Sequence, residues 1–284
     1  MALAFTKWQG CGNDFVLMDA RETFPNDPAG LSQRICDRHY GVGADGLIFV
    51  LPSSRADLCM RIFNADGSEA EMCGNGIRCF ARLAYETGMT TKEKFTVEIG
   101  AGILLPRIVL ENGCVTGVEV DMGTPTLAAE KIPVAGFGSE RAVDQEIEVL
   151  GGTYKVTCVS MGNPHCVVFV DDAEAVDMER LGPAFERHAW FPKRTNVEFV
   201  QAMSDGSLRM RVWERGAAVT LACGTGACAS LVAASLTGRL KQTSTKRSAV
   251  VQLDGGRLFI DWAEDDHIYM TGPAESVFTG VYEE

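Results

Sequence analysis

The stretch Met72-Cys73-Gly74-Asn75-Gly76-Ile77-Arg78-Cys79-Phe80-Ala81-Arg82-Leu83-Ala84 decides how this chain is organised. It comes back 150 positions later as Ala222-Cys223-Gly224-Thr225-Gly226-Ala227-Cys228-Ala229-Ser230-Leu231-Val232-Ala233-Ala234. Each copy sets a cysteine before a glycine turn and then runs on apolar or small almost all round, the pattern of a helix buried on every side. Gly88 and Gly238 follow the two runs and suit the left-handed C-terminal cap. The same offset relates Gly12-Asn13 to Gly162-Asn163, Arg61 to Arg211 and Phe49-Val50 to Phe199-Val200. Four registers in order at one spacing predict two similar halves. Their junction falls near residues 121–125.

Outward from these two runs, helical periodicity predicts helices over 29–38, 76–86, 177–188 and 226–236. Alternating or β-branched runs over 13–19, 46–51, 58–63, 95–99, 104–110 and 115–120 read as strands. Glu111-Asn112-Gly113, Gly151-Gly152 and Gly255-Gly256 are hairpin signals, because Asn and Gly accept the positive φ angles of tight turns. The expected class is α+β with strands in the majority and one buried helix inside each half. If the halves face each other, the two Cys-Gly-x-Gly turns meet across a cleft, a usual place for a small ligand.

Composition excludes several classes. The chain has 284 residues, and 26 Lys and Arg against 38 Asp and Glu give a net charge of −12. Nucleic-acid binding needs a basic face, so no nucleic-acid partner is expected. No apolar run approaches the roughly 18 residues that span a bilayer, so no membrane partner is expected either. The opening MALAFTKWQGCGNDF lacks a basic segment followed by an apolar stretch, and does not read as a secretory signal. Ten cysteines without an export signal are expected to be reduced thiols in a cytoplasm.

The thiols then need a role. A cysteine where a loop enters a helix sits beside unpaired backbone N–H groups and the positive end of the helix dipole, which stabilise its thiolate. The glycines clear the approach path and let backbone N–H groups touch an anion such as a carboxylate. Cys73 and Cys223, carrying this device twice, are candidates for two thiols on opposite faces of one small anionic molecule, the geometry of a stereoinversion. Cys36, Cys59, Cys114, Cys158 and Cys166 lie on apolar runs and read as core, as do Cys79 and Cys228 inside the apolar helices. No metal is expected, since the cysteines lack the close pairing of structural zinc sites and only four histidines exist. Nor does either glycine turn match a phosphate-binding loop.

Eight stretches in order give the chain a resemblance. Gly10-Cys11-Gly12-Asn13-Asp14-Phe15, Gly41-Val42-Gly43-Ala44-Asp45-Gly46, Phe63-Asn64-Ala65-Asp66-Gly67-Ser68 and Met72 to Cys79 are followed by four more. These are Met161-Gly162-Asn163-Pro164-His165, Arg194-Thr195-Asn196-Val197-Glu198-Phe199, Trp213-Glu214-Arg215-Gly216 and Ala222 to Ala229. Together they resemble the diaminopimelate epimerase family over positions 10 to 229.

The resemblance implies interconversion of LL- and meso-2,6-diaminopimelate without any cofactor, in bacterial lysine and cell-wall precursor synthesis. It implies two pseudo-symmetric domains, each a strongly curved, mostly antiparallel sheet wrapped around a central buried helix, with the active site in the cleft between them. Residues 1–121 plus 272–284 would form the half carrying Cys73, and 122–271 the half carrying Cys223. Cys73 and Cys223 would be the acid–base pair, swapping roles with substrate stereochemistry. Backbone donors at Gly74, Asn75, Gly224 and Thr225 would stabilise the charge developing at the substrate carboxylate. Asn13, Asn64, Asn163, Asn196, Glu214 and Arg215 would bind the substrate, and His165 and Glu214 would adjust the thiol pKa values. The chain departs from some members at Gly46, where they carry a substrate-binding Gln, and at Phe278, where a Tyr supports the homodimer expected here. Two rivals remain: a proline or hydroxyproline racemase, which gives Glu214 and Arg215 no purpose, and a noncatalytic redox protein joining Cys73 to Cys223.

Overall fold

The structure, a computed structural model, describes residues 2–240 and 247–283. Met1 and Glu284, the outermost residues of the expected N-terminal half, lie outside the described residues. From the N-terminus the elements are β1 (Ala2–Gly10), β2 (Asn13–Asp19), α1 (Pro28–Cys36), β3 (Gly46–Leu51), β4 (Leu58–Asn64), β5 (Glu69–Ala70) and α2 (Gly74–Glu86). Next come β6 (Val97–Ile99), β7 (Gly102–Leu104), β8 (Arg107–Glu111), β9 (Cys114–Asp121), β10 (Gln145–Val149), β11 (Gly152–Ser160) and β12 (Pro164–Phe169). The chain continues with α3 (Met178–Glu186), β13 (Asn196–Ala202), β14 (Leu208–Glu214), β15 (Ala218–Thr220) and α4 (Gly224–Leu236). It finishes with β16 (Arg247–Gln252), β17 (Arg257–Trp262), β18 (Ile268–Gly272) and β19 (Glu275–Glu283). Residue contacts divide the chain into two compact units, Met1–Asp121 with Thr271–Glu284, and Met122–Met270.

In the first unit the strand order is β19-β1-β2-β3-β4-β6-β7, with β5 on β4. Every pairing is antiparallel except β2 with β3 and β4 with β6. Helix α2 touches β1, β2, β3, β4, β8, β9 and β19, so strands surround it. Ile77, Cys79, Phe80, Ala81 and Ala84 are all fully buried, the outcome their apolar, small character requires. The second unit runs β10-β11-β12-β13-β14-β16-β17-β18 with β15 on β14, and its parallel joins fall at the equivalent places, β12 with β13 and β14 with β16. There α4 is enclosed by β11, β12, β13, β14, β16 and β17.

The repeat holds to the residue. β1 and β11, α1 and α3, β4 and β14, and α2 and α4 each begin and end 150 positions apart. Pair registers match too, with Phe15 opposite Gly46 where His165 is opposite Asn196. Past the central helices Leu58 pairs with Val97 but Leu208 with Val251, so the spacing there grows to 154. The four extra residues fall between the end of α4 and the paired residue Val251.

Three local expectations change. Helices α2 and α4 start at Gly74 and Gly224 rather than at 76 and 226, because the glycine turn is itself the first helical turn and the cysteine before it is the N-cap. The run 104–110 is broken into β7 and β8 around Pro106, which has no N–H to give a ladder. Cys114 opens β9 beside the hairpin and is exposed, and Cys59 is half-buried, whereas Cys79 and Cys228 lie wholly inside. The hairpin itself forms as expected, with Asn112 at φ 52° and Gly113 at φ 78°.

Helix α3 shows how closely the second unit is packed. A Cβ on its Gly182 would lie 2.4 Å from Cδ2 of Trp213, whose indole Nε1 donates to Glu186 Oε2 at 2.8 Å. Gly182→Ala therefore overfills this contact and should lower unfolding stability by roughly 1 to 3 kcal/mol. A urea midpoint equal to that of the unsubstituted protein would show that the helix moves off Trp213 without cost.

Candidate active site

Cys73 and Cys223 occupy the same backbone position in their units. Both are extended N-caps, Cys73 at φ −146°, ψ 113° and Cys223 at φ −126°, ψ 106°. Each sulfur accepts the backbone N–H three residues on, from Gly76 and from Gly226, at 3.4 Å. That bond takes up one of the free N–H groups of the first turn and seats the sulfur at the positive end of the dipole. A side chain at N3 would be crowded in both units. A Cβ on Gly76 would approach Ile48 Cδ1 to 3.0 Å, and one on Gly226 would approach Glu198 Oε1 to 2.7 Å.

Around Cys73 the structure gathers Gly74, Asn75 and Asn13. The Cys73 sulfur lies 4.0 Å from Asn13 Oδ1, which accepts from Asn75 Nδ2 at 3.1 Å. Asn13 in turn donates from Nδ2 to Asp45 Oδ2 at 2.7 Å, so its orientation is fixed from behind. Asn64 ends β4 and donates to Ser68 Oγ at 2.9 Å.

Around Cys223 the second unit gathers Gly224, Thr225, Asn163 and His165 in one chain of hydrogen bonds. Thr225 Oγ1 is 3.5 Å from the Cys223 sulfur and accepts from Asn163 Nδ2 at 3.2 Å. Asn163 Oδ1 faces His165 Nε2 at 3.0 Å, and His165 Nδ1 faces Glu198 Oε1 at 2.6 Å. Because Oδ1 can only accept, His165 carries a proton on Nε2. Both side chains of the His165–Glu198 pair are wholly buried, and Glu198 Oε2 has no hydrogen-bond partner among the described residues. Glu214, at the end of β14, accepts from Thr220 Oγ1 at 2.5 Å. Arg215 makes no ion pair with it and donates instead from Nη1 to Lys193 O at 3.2 Å. Asn196 uses its amide to tie loops, donating to Pro164 O at 3.0 Å and accepting Arg215 N–H at 2.8 Å.

Electrostatics separate the two turns. Burial, then the charges of Glu214 and Glu198, push the Cys223 thiol well above the ordinary range, while the Thr225 hydroxyl and the Gly226 N–H pull more weakly the other way. Cys223 therefore holds its proton at neutral pH. Burial also raises the Glu198 carboxyl against the lowering pull of His165. Sequence reasoning did not single out Glu198 as a site residue; its signal was a carboxylate inside the apolar run Asn196–Ala202, where burial demands a partner. Among the described residues, His165, Glu198 and Cys223 form the set that could hold a metal ion, with one ligand atom each, all within 4.8 Å of one another. The 2.6 Å bond between His165 and Glu198 occupies a ligand atom of each, so a cation there would have to replace the proton between them.

A family model described as "Diaminopimelate epimerase" matches residues 5–128 and 157–277. The chain belongs to the diaminopimelate epimerase family. It is 57% identical over 278 residues to the diaminopimelate epimerase of Moorella thermoacetica, covering 97% of this chain and 98% of that one. It is 52% identical over 280 residues to that of Pelotomaculum thermopropionicum, with 98% of each covered. Among solved structures, the fold is similar to a Bacillus anthracis phenazine biosynthesis protein of the PhzF family, at TM-score 0.73, 18% identity and full coverage of both chains. It is also similar to a hydroxyproline epimerase from Agrobacterium vitis, at TM-score 0.65 and 17% identity over 99% of this chain and 91% of that one. At Gly46, a Cβ would come within 2.9 Å of Phe63 O.

The charge on Glu214 opposes ionisation of Cys223, so Glu214→Gln should let that thiolate form at lower pH. Alkylation of Cys223 by iodoacetamide, followed across pH by peptide mass spectrometry, reads the shift directly. An unmoved midpoint would mean that burial and Glu198 set the proton without Glu214.

Proposed function

We propose that this protein interconverts LL- and meso-2,6-diaminopimelate by a two-base mechanism in which Cys73 and Cys223 act on opposite faces of one α-carbon. It is an isomerase, an amino-acid epimerase of the biosynthetic route to lysine. The observation that carries the mechanism is the N-cap thiol, built twice at equivalent positions in a chain of this family. The Cys73 thiolate takes the α-proton and becomes a thiol; Cys223 gives its S–H proton to the other face and is left as the thiolate. The opposite stereoisomer runs the same path backwards. Proton exchange with water resets the pair.

No ring is needed to delocalise the carbanion if its carboxylate is held by preorganised donors. The free N–H groups of Gly74, Asn75, Gly224 and Thr225 at the two helix starts fill that role. Asn13 and Asn163, held by Asp45 and His165, orient the reacting end. At the distal end Arg215 offers a fork for a carboxylate and Glu214 a partner for an ammonium, with the Asn64 and Asn196 side chains completing the substrate contacts. His165 and Glu214 tune the Cys223 thiol. No metal or cofactor enters these steps. Proline and hydroxyproline lack a second charged end, so that substrate class leaves Glu214 and Arg215 unused, and the redox alternative leaves the duplicated glycine turns without a purpose.

The protein acts in the cytoplasm on a small diamino dicarboxylate, and no helix among the described residues is long and apolar enough to cross a membrane. We expect a homodimer through β19. That strand is the outer edge of its sheet and exposes Val277, Phe278 and Val281, a surface edge strands normally keep covered. Phe278 already stacks edge-on against Phe5, with centroids 5.9 Å apart, so an aromatic contact persists without a hydroxyl.

Proton NMR of the reduced protein with LL-diaminopimelate in D₂O tests the reading. α-Deuterium should enter as the meso isomer appears, and proline should not exchange. Cys73→Ala and Cys223→Ala should each lose turnover by a factor of about 10³ or more while remaining folded. Turnover at the normal rate in either variant would refute the assignment.

A further inference from the structure

Arg78 is the bulkiest side chain wholly removed from solvent among the described residues. Its guanidinium folds back over the first turn of α2, donating from Nη1 to Gly74 O at 3.0 Å and from Nη2 to Asn75 Oδ1 at 2.9 Å. Nε donates to Pro273 O at 3.1 Å, and the Cys11 sulfur lies 3.9 Å from Nη2. Gly10 makes room for the group, since a Cβ there would stand 3.1 Å from Nη2. No carboxylate comes within ion-pair distance of it among the described residues. Such a cation, held by carbonyl and amide oxygens and a cysteine sulfur, is costly unless an anion forms nearby.

The repeat shows that this charge belongs to one turn only. The residue equivalent to Arg78 in the second unit is Cys228, and the residues equivalent to His165, Glu198 and Glu214 in the first are Phe15, Ile48 and Asn64. Where the second unit carries the carboxylates of Glu198 and Glu214, the first carries Ile48 and Asn64, and only its helix turns a guanidinium back onto the Gly74 carbonyl.

We infer that Arg78 is the positioning residue that makes Cys73 the resting thiolate, holding Gly74 and Asn75 in place and favouring the charged form of the thiol capping the same helix. This rests on the two-base reading. The other charged groups on the elements packed against α2 are largely matched already. Lys7 and Arg38 pair with Asp14, Arg61 with Glu69, Arg107 with Glu119, and Arg82 with Glu86. Glu275 accepts from Gln9, Asp121 ends β9, and Asp45 is held behind Asn13 by Arg38. Of the nearby thiols, Cys79 is pushed up to about 12 by burial and stays neutral.

The test is iodoacetamide alkylation of the full-length reduced protein across pH, with Cys73 and Cys223 followed separately by peptide mass spectrometry. In the unsubstituted protein Cys73 should react with the lower midpoint. Arg78→Met should raise the Cys73 midpoint by about one to two pH units, the size expected for losing a nearby opposite charge, and leave Cys223 unmoved. Arg78→Lys, which keeps the charge but not the fork, should give less than half that shift, and the acid limb of kcat/KM should follow the Cys73 midpoint. A lower midpoint for Cys223 in the unsubstituted protein would overturn the inference. So would a folded Arg78→Met protein with an unmoved Cys73, or a Lys variant shifted as far as the Met variant. Should Arg78→Met not fold, the order of midpoints in the unsubstituted protein and the Lys variant decide the matter. Unmoved midpoints remove Arg78's role and leave the epimerase standing, whereas a Cys73→Ala protein that still racemises removes the two-base reading itself.

Discussion

A sulfur in the N-cap position is the constraint from which the rest of this structure follows. Serine, threonine, aspartate and asparagine usually take that place because their oxygen satisfies an N–H of the first turn. Here the sulfurs of Cys73 and Cys223 do so, each 3.4 Å from the N–H of a glycine three residues on. For the sulfur to stay there, the helix start must be held from all sides, and strands enclose both α2 and α4. At the first helical position of α4 a Cβ on Gly224 would crowd Met270 Sδ at 3.0 Å, so glycine follows the cysteine there. Glycine at the third helical position answers to the strand floor instead, where Ile48 and Glu198 leave no space for a methyl group.

Much of this was legible in the sequence because a duplicated fold writes its register twice. The offset of 150 seen in Gly12-Asn13, Phe49-Val50, Arg61 and the Cys-Gly-x-Gly turns is the offset of whole strands and helices in the structure. Periodicity located the buried helices but placed their starts two residues late, since glycine weakens a helical pattern even where the chain is already helical. Pro106 divided a run that looked continuous, and Cys114 sat on an apolar run yet ended at a hairpin in solvent. Those failures concern the ends of elements, where the local pattern carries least information.

The partners of the site residues were less legible. Asn13, Asn163 and His165 stood out through their motifs, but what fixes them did not. Asp45 behind Asn13 and Glu198 behind His165 are contacts across strands, made by registers that no single run of sequence displays. Reasoning from charge alone would also misplace Arg215, whose neighbour Glu214 looks like an ion-pair partner but bonds to Thr220 instead. Glu198 and Arg78 each read as an oddity in an apolar segment. Only burial reveals that each is a charge with nowhere else to go.

The proposed two-base chemistry gives a reason for those oddities to sit in one copy and not the other. A perfectly repeated scaffold would give both thiols the same affinity for a proton, and the pair would divide its one proton evenly between a productive form and its mirror image. Burial and the carboxylates of Glu198 and Glu214 hold the proton on Cys223. In the first unit the positions equivalent to Glu198 and Glu214 carry Ile48 and Asn64, and the helix brings in a guanidinium. The backbone was duplicated and the charges were not. Geometry common to both units places a sulfur at each helix start, and the handful of positions where the copies differ gives the two sulfurs unlike surroundings.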